Sequence, residues 1–454
     1  MCGPPNAADN AGVFAPRPSF LIAAVLALFI GRPSFAQERP VAFIGAEVIP
    51  IAGPAIPAGA VVVQEGRILA VGPAATTPIP PAAERIDVTG KVIMPGLVDT
   101  HSHVGGGRGG DASGPVQPDV RILDSINVRD AGFRKCRAGG LTTLNIMPGS
   151  GHLASGQTVY VKLRPANTIE DILYRDDAGA ILGGLKMANG TNSQQEPPFP
   201  GTRGKSAAIV RQKFVKAIAY RDKIRQAAGD REKLPDRDLE MEALVDVLEG
   251  RKIVHHHAHR ADDIITVLRL RDEFGFKAVL HHTSEAWKVA HEIARSGVGC
   301  SVIVLDSPGG KIEAMDFSLV TGAVLEKAGV ACAFHTDDPV TDSRLFLRTA
   351  ALGVRAGMSR DKALEALTLA GARMLDLDGR IGSLEPGKDA DLIILSGDPL
   401  SVRTKVLETF VEGKKVFDRD DPEDRLFAVG GYGASRDQDA ESCCMSTRAV
   451  EAQR

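Results

Sequence analysis

Between Leu97 and Asp337 short apolar runs alternate with helical stretches, and that alternation leaves this chain few ways to fold. Strand-length runs end near Leu97–His103, Thr142–Ile146, Thr158–Leu163, Gly183–Met187, Ile253–His257, Ala278–His282, Cys300–Val304 and Val330–Asp337. A strand followed by a helix, repeated through eight such runs, makes a parallel sheet whose crossovers cover its outer face. The fold class expected is therefore α/β, a (β/α)8 TIM barrel over residues 94–379. Asp238–Leu248 and Asp262–Phe274 carry apolar residues at helical spacing, and Asp262 suits an N-cap. A chain of 454 residues holds one such barrel and a small accessory domain.

The accessory domain is expected from both ends. Residues 41–93 read as short strands parted by Gly and Pro turns, and residues 380–418 have the same texture. Neither piece has enough apolar residues for its own core, so the two should combine as a composite β-sandwich. Residues 419–454 are charged and rich in Gly and Ser, and are expected to form a mobile tail. The Gly105–Gly110 run lacks the Lys-Ser/Thr of a phosphate loop and reads as a flexible loop at the barrel mouth.

Residues 1–36 differ in kind. Arg17 precedes the apolar stretch Phe20–Ile30, too short to span a bilayer comfortably, and Ser34-Phe-Ala36 offers small residues before Gln37. This predicts a signal peptide, export to the periplasm or beyond, and no membrane attachment once the leader is gone. Five of the six cysteines would remain, at no framework spacing, so the fold should not depend on disulfides. Cys300 and Cys332 sit in apolar runs and read as core residues; Cys443 and Cys444 lie in the tail. A net charge of −3 without a dense basic run argues against nucleic acid as a partner.

Catalytic groups in such barrels stand at the C-terminal ends of strands, and nine of the eleven histidines fall there. His101 and His103 share one side of the first strand end, as suits two imidazole ligands of Zn²⁺ or a similar ion. His255-His-His-Ala-His259, His281-His282 and His335-Thr-Asp-Asp338 end the fifth, sixth and eighth runs. Alternation places His255, His257 and His259 on one side, with His335 beside Asp337. The deeper His255 and His335 should support the ligands, whereas His256 and His281 should point under the helices.

Several stretches together resemble the amidohydrolase superfamily, in its imidazolonepropionase-related and Xaa-Pro-dipeptidase-like branch. They are Pro95-Gly-Leu-Val-Asp-Thr-His-Ser-His103, Gly139-Gly-Leu-Thr-Thr143, Gly184-Leu-Lys-Met187, His257-Ala-His-Arg-Ala-Asp-Asp-Ile264, Thr336-Asp-Asp-Pro339 and Gly382-Ser-Leu-Glu-Pro-Gly-Lys-Asp-Ala-Asp-Leu392. The resemblance implies that His101, His103 and Asp337 bind one divalent ion, expected to be zinc, and that His257 and His282 bind a second. Lys186 matches the lysine that related binuclear enzymes carry as an Nζ-carboxylate bridge; its other reading is a barrel lysine paired to an acid. Asp337 would be the catalytic proton acceptor for a metal-activated water attacking an amide-type C–N bond. Arg260, beside His259, is a candidate clamp for a substrate carboxylate, or else a partner of Asp262 or Asp263. Relatives often read Thr-Asp-His-Pro where this chain has Thr336-Asp-Asp-Pro339, which puts a substrate contact or a supporting contact in doubt.

The same cage also serves lactone and phosphoester hydrolysis and other superfamily reactions, which the sequence does not separate. A non-catalytic metal-binding protein would be expected to have lost ligands, Asp337 above all, and none is missing. The partner expected is a small-molecule substrate, and a homo-oligomer is compatible with the reading. Mass spectrometry of exported protein should find an N-terminus at or near Gln37; soluble cytoplasmic protein keeping residues 1–36 would contradict the leader.

Overall fold

The computed structural model describes residues 39–106, 110–304 and 311–429. The leader, Cys443, Cys444 and the tail beyond residue 429 lie outside the described residues, as do residues 107–109 of the Gly105–Gly110 run. Strands β1 (Val41–Val48), β2 (Ile56–Gln64), β3 (Arg67–Pro73), β4 (Glu84–Asp87) and β5 (Val92–Pro95) come first. Then follow β6 (Leu97–Ser102), β7 (Leu141–Ile146), β8 (Ala154–Gln157), β9 (Val159–Lys162) and β10 (Gly184–Ala188). Strands β11 (Ile253–Ala258), β12 (Ala278–His282), β13 (Gly299–Ile303) and β14 (Cys332–His335) complete the central segment. The last three are β15 (Leu392–Leu395), β16 (Val406–Val411) and β17 (Lys414–Asp418).

Both chain ends enter one eight-stranded sheet, in the order β17-β16-β15-β5-β1-β2-β3 with β4 beside β1. The seam is antiparallel, with Leu392 opposite Pro95 and Leu395 opposite Val92. The halves are thus joined strand to strand within a sheet, whereas the sequence reading put them in a sandwich. Phe43, Val61, Ile93, Leu392, Ile394 and Phe410 share one apolar cluster, so each half supplies what the other lacks. The Phe43 and Phe410 rings meet edge to face at 5.1 Å.

The central segment is barrel-like. Strands β10 to β14 run parallel as neighbours, β6 and β7 pair in parallel, and β6 returns beside β14 where the Asp337 amide donates to the His101 carbonyl at 2.9 Å. The ladder is not one closed ring of eight parallel strands; it is divided between a six-stranded and a three-stranded sheet. The expected third strand, Thr158–Leu163, runs antiparallel: β9 pairs with β7, and β8, just before it, pairs antiparallel with β10. Between β7 and β9 the chain carries no crossover helix and instead contributes β8 to the neighbouring sheet, so it returns along β7 in the opposite direction.

Helices such as α1 (Ala131–Ala138), α2 (Arg203–Ala227), α3 (Leu239–Leu248) and α4 (Ala261–Phe274) cover the strands. Asp238 caps α3 as a helix of that composition invites, but Arg260, not Asp262, stands at the start of α4. Cys136, Cys300 and Cys332 are buried free thiols. Past Asp418 the chain does not become a tail at once. A helix over Pro422–Val429 follows, held to α1 by Arg134, which pairs with Asp424 at 3.1 Å and lies 4.0 Å over the Phe427 ring. Among the described residues no helix is long and apolar enough to cross a membrane.

A buried charge cluster joins the barrel-like part to the composite sheet. Lys162 of β9 has no exposed surface and pairs with Asp389, with Asp391 at 3.1 Å and with Glu412 at 3.6 Å. Arg164 forks onto Glu412 at 2.7 and 2.5 Å. Burial works against the Lys162 ammonium, but Asp391, Tyr174, Asp389 and Glu412 more than offset it and hold the proton more tightly than usual. Lys162→Met would leave these carboxylates without their central cation, and should cost about 3–5 kcal/mol of unfolding free energy in urea denaturation. Unchanged stability would show that the cluster is not held by charge.

Candidate metal centre

The strand ends converge on one buried pocket. His101 ends β6, Lys186 lies in β10, His257 in β11 and His282 at the end of β12, while Asp337 follows β14. None of these five is more than 1% exposed. His103, two residues past His101, joins them.

Asp337 Oδ1 lies 3.0 Å from His103 Nε2 and 3.5 Å from His101 Nε2, and its Oδ2 lies 3.8 Å from His282 Nδ1. Lys186 Nζ is 3.2 Å from His101 Nε2 and 3.3 Å from Met147 Sδ. The donor atoms of His101, His282 and Asp337 all lie within 4.8 Å of one another. On the other side, the His257 ring packs against those of His282 and His259 at 4.4 and 4.6 Å.

Two observations show that this donor set fits a cation. His103 Nδ1 is 2.7 Å from the Met147 carbonyl, which can only accept, so Nδ1 carries the hydrogen. Its Nε2 is then directed at Asp337 Oδ1 and His101 Nε2, so three donor atoms gather where one cation could take them. Moreover, His101 Nδ1, both His257 nitrogens, His259 Nε2 and His282 Nε2 are buried with no hydrogen-bond partner among the described residues. Orphaned donors and acceptors are costly in a dry pocket unless something pairs with them.

The electrostatics agree. Burial, with the nearby positive groups, pushes His101, His257 and His282 well below the usual histidine range, and His259 and His335 down to about 3. Neutral imidazole is the form that binds metals. Burial by itself would raise the Asp337 carboxyl, but the hydrogen-bonding contact with His103 and the fields of His103, His335 and Lys186 outweigh it and hold it at about 2. The pocket thus pairs neutral nitrogen donors with a carboxylate, the chemistry that zinc and similar ions take.

The backbone is bent to make this convergence. His282, Thr283 and Asp337 all have positive φ, at 67°, 48° and 51°, a region that non-glycine residues enter at a cost. Breaking the alternation at His282 corrects one expectation. His281 does not turn under the helices: its Nε2 meets His255 Nδ1 at 3.0 Å, and its ring lies 5.1 Å from that of His101. His255 is also bonded to the Tyr160 hydroxyl at 3.0 Å, and His335 bridges Ser301 at 2.7 Å and His282 at 3.2 Å. His256 does turn away, onto the carbonyl of His257.

Asp99, hidden in the first strand, accepts from the Thr336 hydroxyl and from the backbone amides of His101 and Thr336, both at 3.1 Å. It ties the two ligand-bearing ends together. Arg260 is not part of the pocket. It forks outward onto Asp262 at 2.9 Å, the alternative partner foreseen, so the substrate clamp has no support. Asp338 turns away from the pocket to accept from the Ser343 amide at 3.0 Å and from its hydroxyl, with Lys135 4.0 Å off. Glu313 went unnoticed in the sequence. It lies in a loop without periodicity, yet its Oε1 reaches within 3.9 Å of His257 Nε2.

Comparison with known proteins gives the chain its family. The Amidohydrolase family model matches residues 248–417. An amidohydrolase structure from Thermotoga maritima MSB8 superposes with a TM-score of 0.77 at 35% identity, covering 84% of this chain and 100% of that one. Imidazolonepropionase of Acidiphilium cryptum is 28% identical over 75% of this chain and 88% of its own length. The amidohydrolase tasK of Hapsidospora irregularis is 28% identical over 79% of this chain, which spans 40% of that relative's length. The chain belongs to the amidohydrolase superfamily.

If Asp338 serves the backbone and not the cations, Asp338→Ala should lower stability by about 1–3 kcal/mol through its orphaned Ser343 partners. Bound metal per chain, measured by elemental analysis, should stay at the wild-type value; a loss of metal would place Asp338 in the centre.

Proposed function

We propose that this chain hydrolyses an amide-type C–N bond, outside ordinary peptide bonds, in a small molecule at a centre of two divalent cations, zinc being the expected ion. The observation that carries the reading is the meeting of His101, His103, Lys186, His257, His282 and Asp337 in one buried pocket around a carboxylate that stays ionised. His101, His103 and Asp337 would hold one ion, and His257 and His282 the other. Lys186 would link them after carbon dioxide adds to its neutral Nζ with loss of a proton. The imidazolonepropionase relatives support a small-molecule substrate. Export is part of the proposal and rests on the leader alone.

A divalent cation, when bound, supplies the Lewis acidity that makes water a nucleophile near neutral pH and polarises a carbonyl oxygen. The chain's residues do the rest. Asp337, anionic and buried, accepts the proton that the attacking water gives up as its oxygen bonds to the carbonyl carbon. As the C–N bond breaks, Asp337 returns that proton to the leaving nitrogen. Asp99, through Thr336 and the His101 amide, keeps Asp337 and His101 in register for both transfers. The buried walls exclude bulk water, which strengthens each of these interactions.

Asp337→Asn should keep the circular dichroism spectrum and some bound metal, while kcat falls by about 10²–10⁴-fold as proton transfer is lost. Near-normal turnover would sink the mechanism. Lys186→Ala should weaken the second ion, with partial recovery when a small carboxylic acid is added. The substrate class is read from a screen of N-acyl amino acids, Xaa-Pro dipeptides, lactones and phosphotriesters; activity confined to the last two would overturn the C–N assignment.

A further inference from the structure

One carboxylate outside the expected set is built into the pocket wall. Glu313, 4% exposed, lies within 3.9 Å of His257 Nε2 through Oε1, and the donor atoms of His257, His259 and Glu313 all lie within 4.8 Å of one another. His257 and His259 stand two residues apart and their rings meet at 4.6 Å, repeating at β11 the pairing that His101 and His103 make at β6. His259 Nδ1 is 2.7 Å from Ser284 Oγ, which fixes the ring and leaves Nε2 toward the pocket. His282 Nε2 is a further buried, unpartnered nitrogen among the described residues, on a ring 4.4 Å from that of His257.

The fold spends several contacts on placing this carboxylate. Oε2 accepts from the Thr191 amide at 2.7 Å and lies 3.7 Å from Arg203. Arg203 is itself engaged by Asp263, whose two oxygens are each 3.0 Å from its Nε. Gly190, at φ +77°, makes the approach feasible, since a Cβ there would meet Glu313 Oε2 at 2.6 Å. Oε1 remains buried without a hydrogen-bond partner among the described residues. A carboxylate gripped on one oxygen and bare on the other, facing two imidazoles, has the donor chemistry of a cation site and not of a packing contact.

We propose that Glu313 and His259 complete the ligand set of the second cation, together with His257 and His282. The proposal rests on the two-cation reading above and adds a ligand from the loop after β13.

The test uses the full mature chain, stripped by a chelator and titrated with Zn²⁺ by calorimetry, with bound metal counted by elemental analysis. Wild type should take two ions. Glu313→Gln, which keeps an acceptor for the Thr191 amide, should keep the tighter ion and weaken the other by about 10–100-fold or more. Gly190→Ala, which displaces the carboxylate without removing its charge, should do the same. Two ions at wild-type affinity in both variants would overturn the proposal while leaving the two-cation reading intact. A wild type holding one ion would refute that reading instead; Glu313 then stands as a ligand if Glu313→Gln weakens that ion, and falls if it does not. Should Glu313→Gln fail to fold, Glu313→Asp and Gly190→Ala are read by the same criteria.

Discussion

Burying so many imidazoles in a dry pocket is the constraint that shapes the rest of this molecule. The fully enclosed rings stay neutral, because an imidazolium would lose its hydration with little to replace it. The pocket meets this by giving the deeper rings hydrogen-bond partners, Tyr160 and His281 for His255 and Ser301 for His335. The upper rings keep lone pairs directed at the centre. Asp337, ionised, then stands among these donors, placed to move a proton.

Two adjacent carboxylates show how local backbone divides labour. A left-handed φ of 51° turns Asp337 inward, while Asp338 accepts from Ser343 and fixes the chain that follows. Asp99 of β6 reaches across to Thr336 and binds it through both hydroxyl and amide. The strained conformations at His282 and Asp337 are therefore over-determined by hydrogen bonds around them, as such conformations must be to persist.

The antiparallel third strand has consequences well beyond the sheet order. In β9, Tyr160 and Lys162 lie two apart and so point to one side. Tyr160 carries its hydroxyl to His255 beneath the centre, and Lys162 enters the charge cluster of Asp389, Asp391 and Glu412. One short strand thus links the floor of the pocket to the sheet built from both chain ends. Those ends are a structural base for the barrel-like part, joined by buried charge as well as by the β5–β15 seam.

Much of this was legible in the amino-acid order. Apolar runs ending in histidine located the strand ends of β6, β11, β12 and β14, because period-two alternation and strand-end chemistry are local properties of a chain. The two β-rich ends announced that they needed each other, since neither carries a core. Other features had no local signature. The direction of β9 followed from the absence of a crossover helix between it and β7, and the inward face of His281 from its register beside His257, with the left-handed φ of His282 turning the next ring inward too. Arg260 chose Asp262 by proximity, and Glu313 came to the pocket from a loop with no periodicity, admitted by a glycine more than a hundred residues away in sequence. The sequence by itself determined which residue types stand at which strand ends. Only the tertiary structure decided which of them face each other, because facing depends on strand direction, on backbone sign at single residues and on the space that distant loops leave.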